Sequence, residues 1–200
     1  MKRAKVLRNG RKLGVEDFAM LARKTKETDG DKFKYNYSYE GIADLIKQYA
    51  AAPIVLENFY KLALFNFLFS NGDAHMKNFS LLETPAGDYQ LSPAYDLTNS
   101  RLHVKVPELA LKDGLFKNDH ETESYKANGF YAYDDFFEFG IRIGVIKPRI
   151  LKILSNFMTE HAEVNNLIFS SFLNEEAKSI YLQTYQQGLK SLNYSFSNLI

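Results

Sequence analysis

The chain has 200 residues, 46% of them apolar, and its 16 Phe and 13 Tyr predict one domain with a large buried core. The formal net charge of +1 gives no electrostatic footprint for nucleic acid or for an anionic membrane surface, and the absence of cysteine excludes disulfides and thiolate chemistry. The N-terminus has no signal-peptide core, and the most apolar run, Leu62 to Phe69, is too short to cross a bilayer. We therefore expect a soluble, cytoplasmic protein.

The first half of the sequence predicts helices that lead to a turn. In chain order, the patterns predict an irregular lead-in at residues 1–14, a helix at 15–23, an ordered loop at 25–37, and helices at 38–49 and 56–69. Ser38 is a suitable N-cap for the second helix. The third helix is apolar on almost every face, which is typical of a helix at the centre of a helical domain.

The second half predicts a hairpin followed by further helices. In order, the patterns predict strands at 79–83 and 88–91, an irregular stretch at 98–130, and helices at 133–143, 148–158 and 175–192. Two short strands among about six helices indicate a mainly α fold.

The turn after the third helix begins a group of residues suited to phosphoryl transfer. Asn78 follows Asp73 by five positions, and the predicted hairpin returns the chain to Asp96. Phosphoryl transfer from Mg·ATP needs a carboxylate for the proton of the attacking hydroxyl, then an amide oxygen and a second carboxylate for the metal. We predict Asp73 as the general base and Asn78 and Asp96 as the Mg²⁺ ligands of an ATP site. His75 and Lys77 are predicted to place positive charge beside the transferred group.

Each of these residues also has an ordinary structural role. Asp73 alone commonly caps a turn, His75 alone is more often a packed loop histidine, and Asp96 alone is a suitable helix cap. Their joint spacing, which reproduces the D-x-x-x-x-N separation of a kinase catalytic loop, favours catalysis. The sequence contains no H-E-x-x-H zinc pattern and no G-x-S-x-G elbow of a serine hydrolase.

Two segments extend this pattern to a resemblance with a known family. Residues 68–80 (L-F-S-N-G-D-A-H-M-K-N-F-S) resemble the catalytic loop of the HipA family of bacterial toxin-type serine/threonine kinases. Residues 91–97 (L-S-P-A-Y-D-L) resemble the metal-binding segment of that family. The resemblance implies the helical C-terminal lobe of a protein-kinase-like fold, with a short hairpin next to the catalytic loop. It also implies Asp73 as the base and Asn78 and Asp96 as metal ligands.

The resemblance covers most of residues 1–200, which we interpret as a single C-terminal lobe. No glycine-rich loop followed by a strand lysine is present, so the N-terminal lobe that clamps the nucleotide is predicted to be absent. The implied function is phosphorylation of a Ser or Thr on a protein substrate, and it would need that lobe. Half of a split kinase, a truncated gene product and an expressed fragment are the three interpretations that stay open.

Two alternatives remain open from the sequence. The first is a catalytically inactive interaction module that binds a separate N-terminal lobe or a helix-turn-helix antitoxin of the type with which the family pairs. The second is a small-molecule kinase of sugar, lipid or aminoglycoside type, with its acceptor bound by residues 98–130. No direct nucleic-acid partner and no membrane partner are expected.

Overall fold

The computed structural model of the chain describes residues 10, 12–50, 52–104 and 107–197. These residues form a mainly helical domain with one small sheet, which confirms the predicted fold class. The strands are β1 (Val15–Asp17), β2 (Ser80–Glu83) and β3 (Tyr89–Leu91). The helices are α1 (Phe18–Leu21), α2 (Lys26–Asp29), α3 (Tyr39–Tyr49), α4 (Pro53–Leu68), α5 (Glu123–Asn128), α6 (Tyr133–Arg142), α7 (Lys147–Met158), α8 (Ala162–Ser170) and α9 (Glu175–Leu192). Single 3₁₀ turns cover Met76–Asn78 and Ser100–Leu102.

Helix α4 lies at the centre of the domain, as its apolar sequence predicts. Phe59, Tyr60 and Leu64 are fully buried, and the helix contacts α3, α7, α9 and β3. Pro53 stands in its first turn, where a backbone N–H has no partner within the helix in any case. The loop that follows α4 is therefore attached to an element packed on several sides.

The sheet has the order β1-β2-β3, and both pairs are antiparallel. β2 is the central strand, with Leu82 opposite Val15 of β1 and Leu81 opposite Leu91 of β3. Leu81 and Leu82 are buried, so the sheet is part of the core. The predicted hairpin of β2 and β3 is confirmed, and β1 joins it from much earlier in the chain.

The prediction of one helix over residues 15–23 is wrong at both ends, since α1 covers Phe18–Leu21. Val15 to Asp17 form β1, because they pair with β2 and this partner is invisible in a local helical pattern. The Asp17 side chain then accepts a hydrogen bond from the backbone N–H of Met20 at 3.0 Å, so it caps α1. The acidic residue signals a helix start, but the helix begins at Phe18, three residues further on than predicted.

Other predicted boundaries agree more closely with the structure. Ser38 caps α3 by accepting from the N–H of Gly41 at 3.0 Å, as predicted. The predicted loop at 25–37 contains the short helix α2, the irregular stretch at 98–130 contains α5, and α8 was not predicted at all. The predicted lead-in at 1–14 lies largely outside the described residues. Among the helices of the described ranges, none combines the length and apolar character needed to span a bilayer.

Candidate active site

The loop that carries Asp73 begins with a Schellman motif at the end of α4. Ser70 takes a left-handed φ of 54°, and the N–H of Asn71 donates to the carbonyl oxygen of Asn66 at 2.8 Å. Ser70, and not the nearby Gly72, occupies the left-handed position. The Asn71 side chain also donates to Asn66 Oδ1 at 3.0 Å. The start of the loop is therefore tied twice to the last turns of α4.

Asp73 is exposed and is positioned by a tyrosine from another part of the chain. The Tyr35 hydroxyl donates to Asp73 Oδ1 at 2.5 Å. Burial and the hydrogen bond to Asp73 raise the pKa of Tyr35 to about 12, so the hydroxyl keeps its proton at neutral pH. This contact fixes one carboxylate oxygen and leaves the other available to accept a proton, as a general base requires.

Tyr35 was not identified from the sequence. It lies 38 residues before Asp73, inside an aperiodic segment, and no motif spacing connects the two. The same segment supplies Lys34, whose backbone carbonyl accepts from the N–H of Met76 at 3.0 Å. The segment around Tyr35 therefore packs along the predicted catalytic loop, residues 69–79, which joins α4 to β2.

The His75 side chain, in the same loop, is buried, and its ring centroid lies 5.2 Å from that of Tyr35 in an edge-on arrangement. Burial lowers its pKa, and the nearby Lys34 ammonium lowers it further, while the carboxylates of Asp73 and Asp96 act in the opposite direction. The neutral imidazole is thus favoured at neutral pH, so the positive charge predicted for His75 is not supported. Both carboxylates therefore lie near enough to this imidazole to raise its pKa.

Asn78 and Asp96, the predicted metal ligands, are in direct contact. Asn78 is buried and its Nδ2 donates to Asp96 Oδ2 in a short hydrogen bond. Asn78 Oδ1 is also buried, and it has no hydrogen-bond partner among the described residues. Asp96 is exposed and has a left-handed φ of 57°, a conformation that is uncommon for residues other than glycine and that recurs at functional sites.

Three further hydrogen bonds hold the segment after the hairpin against the catalytic loop. Asn71 Nδ2 donates to the carbonyl oxygen of Asp96 at 3.0 Å. The N–H of Ser100 donates to the carbonyl oxygen of Ser70 at 3.1 Å, and the Ser100 hydroxyl contacts Asn71 Oδ1 at 3.4 Å. Asn71 therefore links the end of α4, the catalytic loop and the segment that carries Asp96.

Lys77 joins the loop to the sheet. Its ammonium pairs with the carboxylate of Asp17, the last residue of β1, at 3.0 Å. The Tyr95 hydroxyl donates to the carbonyl oxygen of Lys77 at 2.8 Å and lies 2.6 Å from the Ser80 hydroxyl. A role for Lys77 beside the transferred group stays a prediction, whereas its structural contact with Asp17 is observed.

The oxygens at Asn78 and Asp96 fit a hard divalent cation. Mg²⁺ prefers oxygen ligands, takes one or two protein carboxylates and completes its shell with phosphate and water. The unpartnered amide oxygen of Asn78 and the exposed carboxylate of Asp96 are such ligands. In the part of the chain that the structure describes, no group of three or more His, Cys, Asp and Glu side chains is placed to hold a metal.

Comparison with known proteins gives one family and several similar proteins. The model of the family described as the HipA-like C-terminal domain matches residues 3–164. A Haemophilus influenzae protein named "Putative kinase" is 29% identical over 168 residues, which are 78% of this chain and 48% of that protein. The chain thus spans about half the length of the curated relative that it matches.

Two solved structures share the fold at low sequence identity. A HipA of Shewanella oneidensis MR-1, solved with HipB and its operator DNA, has a TM-score of 0.59 at 19% identity over 94% of this chain and 46% of its own. The Helicobacter pylori proinflammatory kinase CtkA has a TM-score of 0.55 at 16% identity over 90% of this chain and 66% of its own. The family model matches well over half of the sequence, and the chain therefore belongs to the HipA-like C-terminal domain family.

Proposed function

We propose that this domain is the catalytic lobe of a HipA-like kinase, which transfers the γ-phosphoryl group of Mg·ATP to a Ser or Thr of a protein. The observation that carries the proposal is the unpartnered Asn78 Oδ1 beside the Asp96 carboxylate. A buried acceptor without a partner costs about 1–3 kcal/mol, so its presence calls for an explanation. Service as a metal ligand explains it.

Asp73 is the proposed base. The free oxygen of its carboxylate accepts the proton of the acceptor hydroxyl, while Tyr35 holds the other oxygen in place. The hydroxyl oxygen forms the new bond to the γ-phosphorus, the bond to the bridging oxygen breaks, and ADP leaves with that electron pair. Because the transition state of this reaction is loose, the main task of Asp73 is to orient the hydroxyl.

Asn78 and Asp96 are the proposed ligands of Mg²⁺, which would neutralise phosphate charge when it is bound. The contact between their side chains gives the two oxygens a common location. The left-handed backbone at Asp96 and the Asn71 bond to its carbonyl oxygen aim this carboxylate at Asn78. The protein groups therefore prepare the site before a nucleotide arrives.

The family relationship supports a kinase, while the missing parts of the nucleotide site must come from elsewhere. The Haemophilus relative and the Helicobacter neighbour both carry kinase in their names. We propose that a phosphate-covering loop and its lysine are supplied by an N-terminal lobe, on this polypeptide or on a separate one. Use of ATP would place the reaction in the cytoplasm.

A second candidate function is an interaction module without catalysis. Leu167, Phe169 and Phe172, at the end of α8 and just beyond, are all strongly exposed apolar side chains. The Shewanella neighbour was solved in complex with HipB, so a helix-turn-helix antitoxin and a separate N-terminal lobe are the proposed partners. Such a module would have no need of a Mg·nucleotide site, and this separates it from the first proposal.

The test is calorimetric titration of Mg·ATP into the chain and into Asp96→Asn. Asparagine tolerates the left-handed backbone at this position, so the variant removes the charge without straining the loop. Glu163→Gln, on the exposed face of α8, is the matched control with the same loss of charge. We expect binding that Asp96→Asn loses and Glu163→Gln keeps.

Equal binding by all three proteins would remove Asp96 from the site. If none of them binds Mg·ATP, the titration is repeated with the chain joined to its N-terminal lobe. Absence of binding there would favour the interaction module.

A further inference from the structure

A wide cleft opens beside the proposed base, Asp73. Its volume is about 1010 Å³, and Asp73 and Gly72 line it together with residues from two distant segments. Asn78 and Asp96 are not part of its lining. The cleft therefore lies where an acceptor, rather than a nucleotide, would approach Asp73, and its size suffices for a segment of peptide.

The charge of this cleft is uneven. Lys32 and Lys112 stand on its walls, and Asp73 is the one carboxylate among its described lining residues. Within the described ranges, neither lysine forms an ion pair, whereas Lys26, Lys77 and Lys117 each pair with a carboxylate. The cleft lining thus includes two lysines that form no ion pair among the described residues.

Both lysines are held in a fixed relation to the base through Tyr35. The N–H of Tyr35 donates to the carbonyl oxygen of Lys32 at 2.9 Å, and the N–H of Lys112 donates to the carbonyl oxygen of Tyr35 at 2.9 Å. The Tyr35 hydroxyl in turn holds Asp73. The positions of the two lysine backbones are therefore built into the same structure that orients the base.

One part of the cleft wall is apolar, and Asn36, Thr98, Ser100 and His103 add polar side chains to the rest. Val104, Pro107 and Ala110 line the cleft, and Val104 is exposed over 59% of its surface. A site with an apolar wall and a few fixed charges suits a peptide segment that carries both kinds of side chain.

We propose that this cleft binds the acceptor, and that the acceptor is a protein segment with Asp or Glu, and an apolar residue, close to the phosphorylated Ser or Thr. This inference rests on the proposed function, because the cleft is assigned through Asp73. Lys32 and Lys112 attract the carboxylates of the segment, and the apolar wall packs against its apolar side chain. A nucleic acid is a poorer fit, since its affinity depends on many phosphate contacts and the cleft offers two lysines beside a carboxylate.

The test measures peptide binding without nucleotide, by fluorescence anisotropy. One labelled peptide has a single serine flanked by glutamates and a leucine, and its partner has lysines in place of the glutamates. We expect the acidic peptide to bind more tightly and to weaken as salt is raised from about 50 to about 300 mM. Lys32→Glu and Lys112→Glu should each weaken its binding about fivefold, and the double variant about twentyfold.

Lys152→Glu is the matched control, because Lys152 is an exposed lysine on α7 with no ion pair among the described residues. The proposal is overturned if the two peptides bind equally or not at all, or if Lys152→Glu weakens binding as much as the cleft variants. It is also overturned if an oligonucleotide of equal charge binds more tightly through the same two lysines.

Since no nucleotide is present, this result is independent of the Mg·ATP titration. A cleft without an acidic preference would leave a confirmed nucleotide site in place. Conversely, an acidic preference together with no Mg·ATP binding, even by the chain joined to its N-terminal lobe, would overturn the kinase proposal and leave a peptide-binding cleft.

Discussion

Two clusters of buried polar groups in this domain differ in whether their hydrogen-bonding atoms have partners within the protein. At the start of α6, the buried carboxylate of Asp135 accepts hydrogen bonds from the hydroxyls of Thr122 and Ser124 and from the N–H of Ala132. In the catalytic loop, Asn78 Oδ1 and His75 Nδ1 are buried without partners among the described residues. In the first cluster the buried carboxylate has hydrogen-bond donors from the protein, while in the second two buried atoms have no partner among the described residues.

The difference separates groups that stabilise the fold from groups that are available to a ligand. A satisfied buried network contributes to a unique fold, whereas an unsatisfied acceptor costs stability until something binds it. The loop is not the sole location of such atoms, because Asn165 Oδ1 on α8 is also buried and unpartnered in the described chain. The catalytic loop is set apart by having two of them next to Asp73 and Asp96.

The largest expected effect comes from Asp73→Asn in an active assembly that contains this chain. The phosphorylation rate should fall by about 10²–10⁴-fold, because asparagine cannot accept the proton of the acceptor hydroxyl. Asp73 is exposed, so the free energy of unfolding should change by less than about 0.5 kcal/mol. Rate measurements and urea denaturation check the two parts. Asp113→Asn, at another exposed position, is the control, and a rate that survives in Asp73→Asn would exclude Asp73 as the base.

Asp135→Ala tests the other cluster and should give the reverse pattern. Its loss leaves buried donors of Thr122 and Ala132 without their acceptor, so the free energy of unfolding should fall by about 3 kcal/mol. Mg·ATP affinity of the folded protein should not change. Urea denaturation and calorimetry provide the measurements. A variant as stable as the parent chain would show that this network adds little to stability.

Two buried asparagines allow the comparison between a satisfied and an unsatisfied acceptor within one residue type. Asn66 Oδ1 accepts from Asn71, whereas Asn78 Oδ1 accepts from no described residue. Asn66→Leu should lower the free energy of unfolding by about 2 kcal/mol, while Asn78→Leu should change it by less than about 1 kcal/mol. Asn78→Leu should instead weaken Mg·ATP binding about tenfold, the loss expected for one ligand of a shared metal site.

Denaturation with and without Mg·ATP distinguishes these two outcomes. If Asn78→Leu destabilises the metal-free chain as much as Asn66→Leu does, the Asn78 side chain stabilises the fold even though its Oδ1 has no partner among the described residues.

The sequence indicates the residues of the candidate site, but it does not indicate the tertiary contacts that position them. Asp73 and Asn78 are five positions apart, so their relation follows from local spacing, and the hairpin that leads to Asp96 is a local structure too. Tyr35 is 38 residues away from Asp73 in the sequence, and no periodic pattern predicts their contact. The left-handed backbone at Asp96 is likewise set by tertiary contacts such as the Asn71 bond to its carbonyl oxygen.

The same distinction explains which elements of the fold were predicted. α4 is recognisable because its apolar residues leave almost no polar face, and α3 because Ser38 precedes a clear apolar stripe. β1 has three residues and exists through pairing with β2, so local propensity favoured a helix there. The helix α8 has a single buried residue, Ile168, which leaves little of an amphipathic pattern to detect.

Tyr35→Phe should have a moderate effect, because it removes the group that orients the base and keeps the base itself. We expect the rate of phosphorylation to fall about threefold to tenfold, with the Michaelis constant for the acceptor little changed. The ring contact with His75 is retained in phenylalanine, so stability should stay within about 1 kcal/mol. Tyr37→Phe in the same segment is the control. An unchanged rate would show that Asp73 needs no help from Tyr35.

The smallest expected effect is a pH dependence of stability that originates at His75. Its pKa in the folded chain is lowered, first by burial and then by Lys34, so the unfolded chain binds the proton more readily. The stability linked to His75 is therefore complete above its unfolded pKa of about 6.5 and is lost as the pH falls through and below that value. Thermal denaturation of the metal-free chain between about pH 7.5 and about pH 5.5 brackets this transition.

His75→Gln should show a shallower loss of stability on acidification than the parent chain, and His103→Gln, at an exposed position, should follow the parent. Mg·ATP would alter the comparison, because a cation held at Asp96 would offset one of the carboxylates that now raise the pKa of His75. If His75→Gln and the parent chain lose stability in parallel, His75 is not held neutral in the folded domain. The contrast with Asp135 would then depend on Asn78 Oδ1 alone among the described residues of that loop.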